Sequence, residues 1–209
     1  MARAYILWKN ILFSSFLSPT LQSKKLTTMK KILTFAMLAS CITFAAQVHA
    51  QGSPNDNAEQ RLHRASPPAE AKIRTDKGVT IIINYSQPAI KGRTIGKDIE
   101  PMEGKVWRTG ANEATVFEVN RDVQIEGQRL PAGKYGLFSM KNGDNWTFIF
   151  SKTWKTWGAF SYKQTEDVLR ITVKGERAPT FTERMTFTLN EKGGVILKWG
   201  NHEARFHVN

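Results

Sequence analysis

From Ile73 to the C-terminus, apolar and polar residues alternate with a period of two, in short runs separated by turn-forming clusters. In GVTIIINYS the alternation puts Val79, Ile81, Ile83 and Tyr85 on one face, and Pro88, which has no N–H to donate to a ladder, ends the run. ATVFEV alternates in the same way, and VQIEGQRL reads as a hairpin turning on Glu126-Gly127. PAGKYGLFSM and the turn NGDN lead into WTFIFS, with Trp146, Phe148 and Phe150 on one side. DVLRITVK points Leu169, Ile171 and Val173 inward and Arg170, Thr172 and Lys174 outward; TFTERMTFTL, the turn EKGG, VILKW and ARFHV complete the set. The longest connection, residues 89–113, is rich in glycine and charge. This pattern predicts about nine strands and hardly any helical periodicity, beyond a turn or two near Thr153 or Asp98. The expected fold is all-β, a single antiparallel two-sheet sandwich, with the jelly roll as one possible arrangement.

The pattern changes upstream. Met29-Lys30-Lys31 precedes an apolar run and then QVHA, which places Val48 and Ala50 at the small-residue positions of a cleavage site. Residues 29–50 therefore read as a secretory signal peptide, with the mature chain starting near Gln51 in the periplasm or outside the cell. The run from Ile32 to Ala46 is 15 residues, short of the roughly 20 that span a bilayer, so no transmembrane helix is expected in the mature chain. LASC, residues 38–41, offers an alternative: a lipoprotein box that would anchor the protein through Cys41. The residues after Cys41 stay apolar instead of forming a polar tether, which favours cleavage after Ala50. Residues 1–28 read as an upstream start placed too early, residues 51–66 as a polar leader, and residues 67–209 as the sandwich domain.

Trimming the leader halves the charge. Six of the 30 Lys and Arg residues and none of the 18 acids precede Gln51, leaving 24 basic against 18 acidic residues, a net charge of +6. These charges are interspersed, with no basic run, so a nucleic-acid partner is not expected. The only cysteine is Cys41, so the mature domain has no disulfide and no thiol nucleophile. His202 and His207 differ by five residues, an odd separation that puts them on opposite faces of a regular strand; no metal site is expected. Neither a nucleophile elbow nor a phosphate-binding glycine loop occurs, and no cofactor is expected.

Carboxylates, arginines and aromatics remain. WRTGANEAT, residues 107–115, gathers Trp107, Arg108, Asn112 and Glu113 at the mouth of a strand. Read structurally, Trp107 plugs the core, Gly110 supplies a positive φ, Asn112 holds the loop backbone, and Arg108 neutralises Glu113 or Asp167. Read functionally, Arg108 offers a planar fork to a carboxylate or phosphate. Residues 153–170 hold Trp154, Trp157, Phe160 and Tyr162 ahead of Asp167 and Arg170; exposed aromatics there would stack on sugar rings, and buried ones would close one end of the core. Glu183 shares a face with Phe181, Met185, Phe187 and Leu189, so strict alternation points it inward, at a sheet edge or towards an arginine such as Arg108.

YSQPAIKGRTIG, KVWRTGANEAT, LPAGKYGLF, WTFIFSK, WGAFSY and DVLRITV together resemble a domain of unknown function found in exported bacterial proteins, from about Ser66 onward. The resemblance implies no activity. It has one departure, Gln87 where that family often carries an arginine. The leading functional expectation is a secreted, non-enzymatic module that binds a glycan or another envelope component through Arg93, Trp107, Arg108, Asn112, Glu113, Trp157, Tyr162, Asp167 and Arg170. Two alternatives stand beside it. One is a hydrolase using Glu113 with Asp167 or Glu183, which needs two carboxyls about 5 to 9.5 Å apart across an open cleft. The other is an envelope scaffold with no small ligand, marked by an exposed apolar patch.

Overall fold

The alternating runs form strands. The computed structural model describes residues 63–209; the upstream segment, the signal peptide, Cys41 and nearly all of the polar leader lie outside the described residues. Among the described residues there are nine strands: β1 (Pro68–Arg74), β2 (Thr80–Ser86), β3 (Thr115–Val119), β4 (Val123–Ile125), β5 (Gln128–Leu130), β6 (Gly133–Asn142), β7 (Asn145–Ser151), β8 (Asp167–Leu189) and β9 (Gly194–His207). Seven of them make one antiparallel sheet in the order β1-β2-β3-β6-β7-β8-β9, and β4 and β5 form a small second sheet. The strands of the large sheet follow their order along the chain, with the β4–β5 hairpin set between β3 and β6, a meander in place of the crossing connections of a jelly roll.

The large sheet curls into a half-barrel because its last two strands are long and bent. The first part of β8 pairs with β7 from Asp167 to Lys174, and the remainder pairs with β9. The far end of β8 returns to the β2 side: Met185 N–H donates to the Pro88 carbonyl (3.0 Å) and Ile90 N–H to the Glu183 carbonyl (3.1 Å). Inside the curl lie Ile81 and Ile83 from β2, Phe117 from β3, Phe148 and Phe150 from β7, and Phe206 from β9, all buried. Phe206 is a hub, with ring centroids 4.9 Å from Phe148 and 5.9 Å from Phe150. The β4–β5 hairpin turns on Glu126 and Gly127, both at positive φ as the tight primed turn requires. It adds Val123, Ile125 and Leu130 to the same core.

Three expectations need correction. DVLRITVK and TFTERMTFTL are one strand, as are VILKW and ARFHV. The register of β8 against β9 shifts between Arg177 and Thr182 and again between Thr182 and Thr186. Extra residues at such irregularities break the period of two. Glu183 is consequently exposed instead of pointing inward, and Phe181 is 58% exposed. The expected helical turns reduce to a 3-10 turn at Gln164–Glu166 and a tight turn in which Asp98 N–H reaches the Thr94 carbonyl.

Candidate functional site

WRTGANEAT is a locked loop leading into β3. Trp107 is 2% exposed and stacks on Trp199 at 5.5 Å, and its indole N–H donates to the Gly110 carbonyl (3.0 Å). The Trp107 backbone exchanges both hydrogen bonds with Ser139 of β6. Thr109, fully buried and at positive φ, is tied from two sides: its hydroxyl bonds Ser139 Oγ (2.9 Å), and its carbonyl accepts from Thr115 Oγ1 (2.7 Å). Gly110 is not at positive φ; Thr109 and Asn112 carry that conformation instead. Glycine is required at 110 for space, since a Cβ there would lie 3.0 Å from Thr115 Oγ1 and 3.2 Å from the Ser86 carbonyl. Asn112 does hold backbone, its Nδ2 donating to the Ser66 carbonyl at 3.1 Å.

Arg64, from the polar leader, places one guanidinium nitrogen 2.9 Å from each oxygen of the Glu113 carboxylate. The same guanidinium sits 5.9 Å from the ring of Trp157, within cation–π reach. Glu113 and Trp157 are bridged through their backbones, and Gly158 N–H donates to the Asn112 carbonyl (3.0 Å). Residues 156–158 therefore lie against the loop, leaving Trp157 58% exposed beside Glu113. Arg64, Glu113, Ala114 and Val116 line an open groove of about 520 Å³ with Glu70 of β1 and Asn84 of β2. Its wall is the side of β1–β3 away from the core: Asn84 pairs with Val116 and Glu70 with Asn84 across the ladders.

The other expected residues stand elsewhere. Tyr162, Asp167 and Arg170 make a closed cluster: Tyr162 donates to Asp167 Oδ2 (2.7 Å), Arg170 Nε donates to the same oxygen (2.6 Å), and Arg170 also donates to the Tyr162 hydroxyl. Burial, and then the Asp167 carboxylate, push the Tyr162 phenol up to about 12. Desolvation works against the Arg170 cation, but its bonds to Asp167 and Tyr162 outweigh it and raise its pKa. This cluster adjoins a small outer core of Ala114, Phe138 and Ile149, against which Tyr162 packs. Arg108 neutralises neither Glu113 nor Asp167, whose arginine partners are Arg64 and Arg170. It is half-buried, its Nε has no acceptor, and desolvation lowers its pKa against the pull of Glu100. Arg93 donates to the Ala89 (2.7 Å) and Ile90 (3.0 Å) carbonyls, and the Glu183 carboxylate accepts from Lys91 N–H (2.8 Å). Among the described residues no three His, Cys, Asp or Glu side chains gather as a metal-binding group, and no helix is long and apolar enough to cross a membrane.

A family model described as "Protein of unknown function (DUF2911)" matches residues 66–208. The chain belongs to the DUF2911 family. No curated protein and no solved structure matches it. The DUF2911 match takes in all nine strands and the whole of WRTGANEAT, while Arg64 lies two positions before its start. In this DUF2911 domain the groove brings Glu113, which the sequence pattern singles out, together with Arg64, Glu70 and Asn84, which it does not. Arg64 sits in an aperiodic polar leader that carries no pattern to read. Glu70 and Asn84 are ordinary outward positions of alternating strands, and only the pairing of β1, β2 and β3 places them on one wall.

Proposed function

We propose that this DUF2911 domain is an exported, non-catalytic module that binds a glycan or a similar polyhydroxylated component of the cell envelope in the Arg64–Glu113 groove. The observation that supports this reading is the placing of Trp157, 58% exposed, beside a groove of about 520 Å³ whose polar wall is Arg64, Glu113, Glu70 and Asn84. An exposed indole face stacks on the apolar face of a sugar ring, while carboxylate, amide and guanidinium groups match its hydroxyls as acceptors and donors. The locked loop behind Glu113 keeps this wall preorganised, which lowers the ordering cost of binding.

The geometry lends the hydrolase alternative no support. Asp167 is engaged by Tyr162 and Arg170, Glu183 caps the turn at Lys91, and neither lines the groove that holds Glu113. Titrating the full chain with a panel of envelope-derived oligosaccharides, read by calorimetry, tests the proposal. Saturable binding that Trp157→Ala weakens about tenfold is expected, the loss of one stacked aromatic with its buried area. Binding by no member of the panel, or binding that Trp157→Ala leaves unchanged, contradicts it.

A further inference from the structure

The loop between β7 and β8 holds aromatic side chains out in solvent. Phe160 is 90% exposed and Trp157 58%, and Phe181 is the one other large apolar side chain exposed among the described residues. The loop is fastened on both sides. Ala114 N–H donates to the Thr156 carbonyl (2.9 Å), Gly158 N–H to the Asn112 carbonyl (3.0 Å) and Lys152 N–H to the Glu166 carbonyl (2.9 Å). Tyr162 N–H closes a turn on the Ala159 carbonyl (3.2 Å), and the Tyr162 ring packs on Phe138 at 5.1 Å. Phe160 therefore stands at the tip of an anchored turn. Gly158, at φ +67°, leaves its ring room, since a Cβ there would lie 2.8 Å from Phe160 Cε2. A phenyl ring left in water forgoes the burial that stabilises the core, and a turn that fixes it there presents it to something outside the fold.

The charge of the same loop has one sign. Lys152, Lys155 and Lys163 are all exposed, and no acid lies between Ser151 and Glu166. Trp154, half-buried, has Lys155 Nζ 4.8 Å and Lys134 Nζ 5.6 Å from its ring centroid. The carboxylates that adjoin the loop are engaged: Glu113 by Arg64, Glu118 by Lys134, and Asp167 by Arg170 and Tyr162. Glu166, half-buried, stands at the far end of the loop. Lysine is depleted where proteins bind proteins. Indole and phenyl rings flanked by lysines suit the boundary of a bilayer, where the rings enter the acyl edge and the ammonium groups reach back to the headgroups.

We propose that the β7–β8 loop docks on an anionic lipid surface, with Phe160 and Trp157 entering the edge of the bilayer and Lys152, Lys155 and Lys163 on its headgroups. Phe160 does not line the Arg64–Glu113 groove, so this surface stands whether or not the groove binds a glycan. The test is sedimentation with vesicles of phosphatidylcholine alone or with one third phosphatidylglycerol. The apolar run of residues 32–46 would itself enter lipid, so the chain from Gln51 is used; among the described residues every member of the main core lies between Ala69 and Val208, and that core is intact without the run. Saturable partition onto the anionic vesicles is expected, at least tenfold weaker on phosphatidylcholine and falling as salt is raised. Phe160→Ala should weaken it about tenfold, the loss of one inserted ring, while Phe160→Leu keeps most of it. Lys155→Glu combined with Lys163→Glu should weaken it at least tenfold. Phe160→Ala should leave oligosaccharide binding in the groove unchanged, which separates the two sites. No partition onto anionic vesicles, equal partition onto both kinds, or partition indifferent to Phe160→Ala and to the double lysine reversal would overturn the proposal. Self-association lost in Phe160→Ala, in place of vesicle binding, would overturn it in favour of a second copy of the chain.

Discussion

Gly110→Ala tests whether the loop before β3 is a packed clasp. The position does not need a left-handed backbone, so alanine costs nothing in φ; the cost lies in space. The new methyl would sit 3.0 Å from Thr115 Oγ1, 3.2 Å from the Ser86 carbonyl and 3.7 Å from Met185 Cε. Met185 can yield, whereas the Ser86 carbonyl belongs to the end of β2. Thr115 can turn away only by releasing the buried Thr109 carbonyl, which it holds at 2.7 Å. Crowding of a packed site by one methyl costs about 1–3 kcal/mol, and stripping a buried carbonyl of its donor costs about 1–3 kcal/mol. The chain takes whichever route is cheaper or shares them, so we expect a loss of about 2–3 kcal/mol. For a domain of this size that is a fall in Tm of roughly 4–12 °C. Urea denaturation followed by tryptophan fluorescence and far-ultraviolet circular dichroism measures it. In a Thr115→Ala background the hydroxyl is gone, so the penalty of Gly110→Ala should shrink. A neutral Gly110→Ala, or strict additivity of the two substitutions, would refute the reasoning.

Further expectations rest on the charged groups. Arg64→Ala should cost less than about 1 kcal/mol of stability, because the pair is 31% and 40% exposed, and the loss should diminish in high salt; denaturation at two ionic strengths checks this. Tyr162 should ionise late, near its raised value of about 12. Phenolate absorbance should therefore lose its last step in Tyr162→Phe. The phenol is held neutral in the folded chain, so its contribution to stability is complete below pH 10 and declines as the pH rises from there through about 12. His202, beside Lys141, Arg177, Asp144 and Glu176, has its pKa lowered first by burial and then by Lys141. The unfolded chain thus takes up that proton first, and stability should fall as the pH drops through 6.5, the ordinary value, and below. His202→Gln should flatten that part of a stability-against-pH curve measured by urea denaturation.

The strands were legible because a half-buried strand needs one residue in two to be apolar: Ile81, Ile83 and Tyr85 of β2, and Trp146, Phe148 and Phe150 of β7, all face the core. The merging of two runs into β8 was not legible, since Ala178-Pro179 reads as a break and nothing local says that the chain stays extended through it. The same irregularity misplaces Glu183. Trp107 could be read as a core plug from its size, but the reason for Gly110 could not. It depends on Thr115 and Ser86, which only the fold brings there. Asp167 and Arg170 stand three apart in one segment, yet the pattern offered Arg108 as the cation for Asp167, and the arginine on Glu113 lies 49 residues away. Long-range charge pairing has no sequence period, so of the groove only Glu113 and the exposed Trp157 beside it could be picked out.

The central claim, that the groove between Arg64, Glu113 and the outer wall of β1–β3 is a ligand site, is most directly tested by nitrogen-15 chemical-shift mapping with the tightest-binding oligosaccharide of the panel. The account predicts that the largest perturbations fall on the Trp157 indole N–H, the Asn84 side-chain amide and the backbone amides of Glu70 and Glu113. Perturbations confined to other surfaces, with these signals unmoved at saturation, would contradict it.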